Sequence, residues 1–154
     1  MTIFPEIEGS NLEGQKYCLP NDLEGELNLV IIPFQRYQQY LVNEWGNYLT
    51  ELVKKYPNLE FYEIPTLARG YKLVRFMIDG GMRAGIPNKR TRERTITLYT
   101  NKGKFKEQLE IDSEDTIYLF LITKKGKILW REEGNITNEK TKDLESVLKN
   151  QKIS

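Results

Sequence analysis

Apolar positions along this chain switch between the period of a strand and the period of a helix, and the switches mark out its elements. The first 25 residues carry Gly9, Gly14, Pro20 and Gly25 around the short apolar run Tyr17-Cys18-Leu19, which predicts an N-terminal hairpin or arm over 1–26. Leu27 to Ile32 is a continuous, β-branched-rich run of the kind found in strands covered on both faces, and Pro33 ends it because proline has no N–H for a sheet ladder. From Gln35 to Tyr56 the apolar positions Tyr37, Leu41, Trp45, Tyr48, Leu49, Leu52, Val53 and Tyr56 fall on one helical stripe. Leu59 to Ile64 is a second strand. Pro65-Thr66 is expected to open a second helix running to about Asp79 with Tyr71, Val74, Met77 and Ile78 inward, closed by Gly80-Gly81. Met82 to Arg94 follows neither period and is expected to be a loop. A third strand at Thr95–Tyr99, a short helix at Phe105–Leu109 and two strands around the hairpin signal Lys124-Lys125-Gly126 come next. The last helix has Thr137 as its N-cap, Glu139 in its first turn and Leu144, Val147 and Leu148 facing inward.

Strands that alternate with helices pair in parallel through right-handed crossovers, whereas a terminal hairpin is antiparallel. The chain is therefore expected to be a single α/β domain, 1–154: a mixed sheet flanked by helices. The order of elements resembles the thioredoxin fold with the N-terminal β-hairpin arm and inserted strand–helix of peroxiredoxins. Thioredoxin-type chemistry needs a thiolate at the start of the first long helix, usually one of a C-x-x-C pair. That place is filled by Pro33-Phe34-Gln35-Arg36-Tyr37-Gln38, and the chain has one cysteine, Cys18, and no histidine.

A single cysteine excludes an internal disulfide and fits a reducing compartment. Met1–Glu6 has neither the basic start nor the apolar stretch of a signal peptide, and no run approaches the length of a membrane span, so the expectation is a cytoplasmic protein, at most peripheral to a membrane. The near-zero net charge of +1 hides an asymmetry. Glu6, Glu8, Glu13, Asp22, Glu24 and Glu26 face only Lys16 in the first 29 residues, while Arg83, Lys89, Arg90, Arg92, Arg94, Lys102, Lys104 and Lys106 face only Glu93. Such a basic run either guides an acidic partner or is a solvated loop and strand end.

Cys18 lies in the arm, away from a helix N-terminus, so a structural thiol is favoured over a nucleophile. Glu60, Glu63 and Asp79 could serve as bases but are not paired at an informative spacing. Without histidine, and with no glycine-rich phosphate loop, neither a metal nor a cofactor is expected. The bases around Lys89–Arg94, with Tyr99 and Phe105, could touch phosphate, yet nucleic-acid binders are usually basic over a broader surface. Asn135-Ile136-Thr137 matches a glycosylation sequon, which has meaning only on a secretory route.

Gly81-Met82-Arg83-Ala84-Gly85-Ile86-Pro87, then Phe105–Leu109, Tyr118–Ile122, Gly126-Lys127-Ile128-Leu129-Trp130-Arg131, Gly134 and Glu139 form one ordered series. The series resembles the mitochondrial assembly factors for the membrane sector of ATP synthase, a thioredoxin-like family with a G-M-R-x-x-I-P segment and a later Y-x-F-L-V-D-x-x-G-K-I-R-W segment. Similarity extends upstream through Phe4-Pro5 and Trp45; the family's aspartate is replaced at Thr123. The resemblance implies a non-enzymatic assembly or chaperone role with transient binding to a hydrophobic membrane subunit, at Met82, Arg83, Ile86, Pro87 and Trp130. Together with Arg90, Arg92, Arg94 and Arg131 these residues are the expected protein-binding surface. The alternative is a peroxiredoxin-like or other thiol-dependent oxidoreductase using Cys18. A basic-loop nucleic-acid module is a third reading.

Overall fold

The computed structural model describes the backbone of residues 3–86 and 88–153, and their side chains except those of 72–77, 83 and 152–153. Eight strands and five α-helices follow in the order β1 (Ile7–Asn11), β2 (Lys16–Leu19), β3 (Leu27–Ile32), α1 (Gln39–Lys55), β4 (Leu59–Glu63), β5 (Thr66–Ala68), α2 (Arg75–Gly85), α3 (Lys89–Arg94), β6 (Ile96–Thr100), α4 (Lys102–Gln108), β7 (Tyr118–Thr123), β8 (Ile128–Glu133) and α5 (Asn138–Ile153). Short 3-10 turns lead into α1 at Arg36–Gln38 and into α2 at Arg69–Val74.

Strands β4-β3-β7-β8 form one ladder and β2-β1-β6-β5 another. β3 is parallel to β4 and antiparallel to β7, and β7 is antiparallel to β8, so the sheet is mixed. The two ladders meet along a single stretch of chain. β4 pairs with β3 from Leu59 to Glu63. Past Pro65 the same stretch pairs with β6 as β5, Thr66 opposite Leu98. A bridge between Glu63 and Thr95 and the bond from Leu98 N–H to the Pro65 carbonyl carry the same register across the join. On the other side Thr66 N–H still reaches the Pro33 carbonyl. The Pro65 carbonyl thus takes a ladder bond at a position where the missing N–H is not needed.

The sheet separates two cores. On one face Val30, Ile32, Tyr62, Ile64, Phe120 and Ile122 pack under the N-terminal arm and α4, through Phe4, Tyr17, Leu19, Leu23 and Phe105. On the other face Leu29, Ile31, Leu119 and Leu121 pack under α1 and α5, through Leu41, Trp45, Leu49, Leu144 and Leu148. β3 and β7 are buried on both faces, as their continuous apolar runs require. The thioredoxin-like α/β reading of the sequence is the architecture of the molecule.

Four expectations are corrected. Thr66 does not open a helix; Thr66-Leu67-Ala68 is a strand because β6 offers a second ladder there, and α2 begins only after the 3-10 turn. Gly80-Gly81 does not close α2, which continues to Gly85. Both glycines keep negative φ and face open space, so they weaken the helix by about 1 kcal/mol each without ending it. The stretch Met82–Arg94 is not a loop: it is the end of α2 followed by α3, whose N-cap Asn88 accepts from Thr91 N–H at 3.0 Å. The short fourth helix starts three residues earlier than its apolar pair suggests, because Asn101 caps it through Lys104 N–H. The hairpin between β7 and β8 and the Thr137 cap of α5, through Lys140 N–H at 3.2 Å, are as expected. Gly126 is needed in that hairpin: its φ is +93° and a Cβ would meet Pro20 at 2.9 Å. No described helix is long and apolar enough to cross a membrane.

Candidate functional site

The C-terminal ends of parallel strands are where open α/β sheets bind ligands. Here that end carries the turn from β3 into α1. Pro33 breaks the ladder, and the chain is then held by Gln38, which is fully buried. Its Oε1 accepts from Phe34 N–H at 2.8 Å and Gln35 N–H at 3.1 Å, and its Nε2 donates to the Glu114 carbonyl at 2.7 Å. Glu114 is clamped in turn by Lys102 and Lys106, both at 2.8 Å, which hold its carboxyl below the usual range against the opposing effect of its partial burial. An amide therefore occupies the turn where a redox thiolate would stand, and every polar atom of that amide is engaged in holding backbone. Cys18 lies in β2, where Tyr17 and Leu19 point inward and Cys18 outward. One exposed thiol in the arm leaves dithiol exchange within the chain without its second sulfur. Among the described residues no group of His, Cys, Asp or Glu is arranged to hold a metal ion.

The basic run becomes an ion-pair seam. β6 pairs with the preceding strand only from Glu63 onward, so the first part of β4 has no strand on that side, and α3 packs there. Arg90 reaches Glu60 at 3.1 Å, Glu93 at 3.6 Å and Glu24 at 3.7 Å. Arg94 stacks over the Phe61 ring at 4.3 Å and lies 3.9 Å from the same Glu60 carboxylate. Arg92 donates to Glu13 of the β1–β2 turn at 2.8 Å and to the Ile86 carbonyl at 2.9 Å. Burial, and then the neighbouring Arg90 charge, push the Arg94 guanidinium below its ordinary value; burial acts on Arg90 in the same sense but is outweighed by Glu60 and Glu24, so Arg90 rises. A helix covering a strand edge also blocks unwanted strand pairing. The charge asymmetry of the sequence is thus largely satisfied within the chain, acidic arm against basic helix.

Not all the expected binding residues come together. Met82 is half-buried on α2, with its sulfur 4.0 Å from the Thr97 hydroxyl, and Ile86 is half-buried at the joint with α3. Arg90, Arg92 and Arg94 follow on α3. The Arg83 side chain and Pro87 lie outside the described residues. Trp130 and Arg131 belong to β8, the opposite edge of the ladder from β4. As neighbours on a strand they point to opposite faces. Trp130 is 6% exposed, packs edge-on against Trp45 at 6.3 Å and donates to Asp143 at 3.2 Å. Arg131 lies over Phe120 at 5.1 Å and donates to the Leu109 and Glu110 carbonyls. These two residues hold α5 and the end of α4 to the sheet and do not share a surface with α2 and α3.

Glu63 is the most perturbed carboxyl. Burial pushes it up to about 7, against a hydrogen bond from Gln39 that favours the charged form. Its position in the strand was legible in sequence; its environment was not, because the crossing of the two ladders over it depends on the strand identity of Thr66–Ala68.

The chain matches the family described as ATP10 protein over residues 2–150. No curated protein sequence matches it. Among solved structures it is similar to the exposed lipoprotein thioredoxin of Streptococcus pneumoniae, at 15% identity and a TM-score of 0.57, covering 94% of this chain and 99% of that one. It is similar also to a thioredoxin-like protein from Aeropyrum pernix, at 19% identity and TM-score 0.53 over 94% and 89%. A thiol-disulfide oxidoreductase from Bacteroides fragilis gives 17% and 0.53 over 92% and 98%. At these identities the likeness is one of fold.

Proposed function

This chain belongs to the ATP10 protein family, and from that premise we propose that it works by binding a protein, as an assembly factor or chaperone for membrane-sector subunits of ATP synthase. The observation that carries the non-redox half of this reading is the turn into α1, where Gln38 ties Phe34, Gln35 and Glu114 together and no sulfur is present. The assembly role and its client rest on the family resemblance of the Gly81–Pro87 and Tyr118–Arg131 segments.

The surface proposed for the partner is α2 with the start of α3. None of the described side chains between Arg69 and Arg94 belongs to either core, and a Cβ added at Gly80, Gly81 or Gly85 would meet nothing within 4 Å. Met82 and Ile86 supply half-buried apolar contact, and Lys89 is exposed. Arg83 and Pro87 belong to the same segment by sequence. Arg90, Arg92 and Arg94 anchor this surface to the arm and to β4.

The test is capture of membrane-sector subunits from mild-detergent membrane extracts by the tagged chain. Arg83→Glu/Lys89→Glu should abolish capture while leaving the thermal midpoint unchanged. Capture that survives in this variant, or that contains no ATP synthase subunit in the wild type, removes the proposal. Cys18→Ser should capture as the wild type does; a loss there would favour the thiol-dependent alternative.

A further inference from the structure

Among the described residues, three of the four exposed large apolar side chains lie in the two segments that leave the C-terminal ends of β3 and β5. Tyr37 and Tyr40 are each 63% exposed at the start of α1, and Tyr71 is 53% exposed in the 3-10 turn after β5. The bond from Thr66 N–H to the Pro33 carbonyl joins the two strand ends from which these segments leave. Arg36 and Arg69 are exposed in the same segments and form no ion pair among the described residues. The sequence has no acid from Pro33 to Asn43 or from Pro65 to Ile78. One acid packed against this end, Glu114, is already paired with Lys102 and Lys106, and burial holds Glu63 above the usual carboxylate range. Asp115 remains as an exposed acid on the adjoining loop.

We propose that Arg36, Tyr37, Tyr40, Arg69 and Tyr71 form a second docking surface, for an acidic peptide segment of a partner protein. The proposal rests on the protein-binding reading but uses residues distinct from α2–α3. Tyrosine and arginine are the side chains that dominate binding hot spots, and tyrosine orders only two side-chain torsions on contact. The Gln38 bonds hold the backbone of the turn fixed, so the tyrosines are presented from a rigid base. The unopposed arginines select for carboxylates. An anionic bilayer is a poorer fit, because no described Leu, Ile, Phe or Trp is among the exposed large apolar residues at this end to anchor in acyl chains.

The test is panning of a random dodecapeptide phage library on the tagged full chain, followed by fluorescence anisotropy of the enriched peptides. Enrichment of Asp- and Glu-containing sequences is expected. Their affinity should fall by at least about tenfold in Arg36→Glu/Arg69→Glu and in Tyr37→Ser/Tyr40→Ser, with unchanged far-ultraviolet circular dichroism. No enrichment, enrichment of neutral or basic sequences, or affinity unmoved by both variants overturns the proposal. Co-sedimentation with phosphatidylcholine–phosphatidylglycerol vesicles that is lost in the same variants, without peptide enrichment, overturns it in favour of a lipid surface. The Arg83→Glu/Lys89→Glu variant should bind the peptides as the wild type does, so failure of either surface is read separately.

Discussion

The side-chain amide of Gln38 donates to the backbone carbonyl of Glu114 at 2.7 Å while its oxygen accepts from two backbone N–H groups of the turn before α1. One buried amide joins the first crossover to the loop entering β7. Gln38→Leu keeps a comparable volume but strands two donors and one acceptor. Each buried orphan costs about 1–3 kcal/mol, so the variant should lose roughly 3 kcal/mol or more in urea unfolding. Gln38→Glu should also be destabilised, because a carboxylate cannot donate to the Glu114 carbonyl.

The link between Arg92 and Glu13 fastens the N-terminal hairpin to α3, with both side chains less than a fifth exposed. Removing either partner leaves a partly buried charge, and Arg92→Met or Glu13→Gln should each cost about 1–3 kcal/mol. A double-mutant cycle should return a coupling of about 1 kcal/mol or more, and hydrogen exchange in β1 and β2 should accelerate in both single variants.

Glu63 makes stability fall as pH rises. Its folded value is raised to about 7, above the ordinary carboxylate range, so between pH 4.5 and 7 the native state binds the proton that the unfolded state has released. Stability is then greatest below about pH 4.5 as far as this group is concerned and declines through pH 7, by as much as about 3 kcal/mol. Glu63→Gln should remove this slope and raise stability at pH 8. Parallel chemical denaturation of the two proteins at pH 5 and pH 8 checks it.

Trp130 and Trp45 form an edge-on pair whose indole N–H groups reach Asp143 and the Gly134 carbonyl. Trp130→Ala should cost about 3–5 kcal/mol, and Trp130→Phe less. Both should leave partner capture unchanged wherever the protein remains folded. Cys18→Ser, at an exposed position, should shift stability by no more than about 0.5 kcal/mol.

The buried strands and the two long helices were legible because their apolar periods are uninterrupted: Leu27–Ile32, Tyr118–Ile122, and the Trp45 and Leu148 stripes. Thr66–Ala68 was not, because a three-residue strand after proline has the same local signal as a helix start, and only the presence of β6 beside it decides. The continuation of α2 past Asp79 was hidden by Gly80 and Gly81, which are tolerated where nothing packs against them. The basic run was visible, but its meaning was not. The acids that answer it, Glu13, Glu24 and Glu60, lie far away in sequence, and charge counts along a chain do not show which distant segment folds against which. The missing redox thiol could be read directly, whereas the role of Gln38 needed Glu114 beside it. Trp130 and Arg131 looked like one site for want of their facing: strand alternation sends them to opposite sides.

The hairpin β1–β2 finds its partners far along the chain. Arg92 and Glu13 are 79 positions apart, and β1 is aligned by β6 through Ser10 and Thr97. The core that covers Tyr17 and Leu19 is thus completed only once β4 and β6 are both in place. Shortening the interval between the arm and β6 should therefore speed folding.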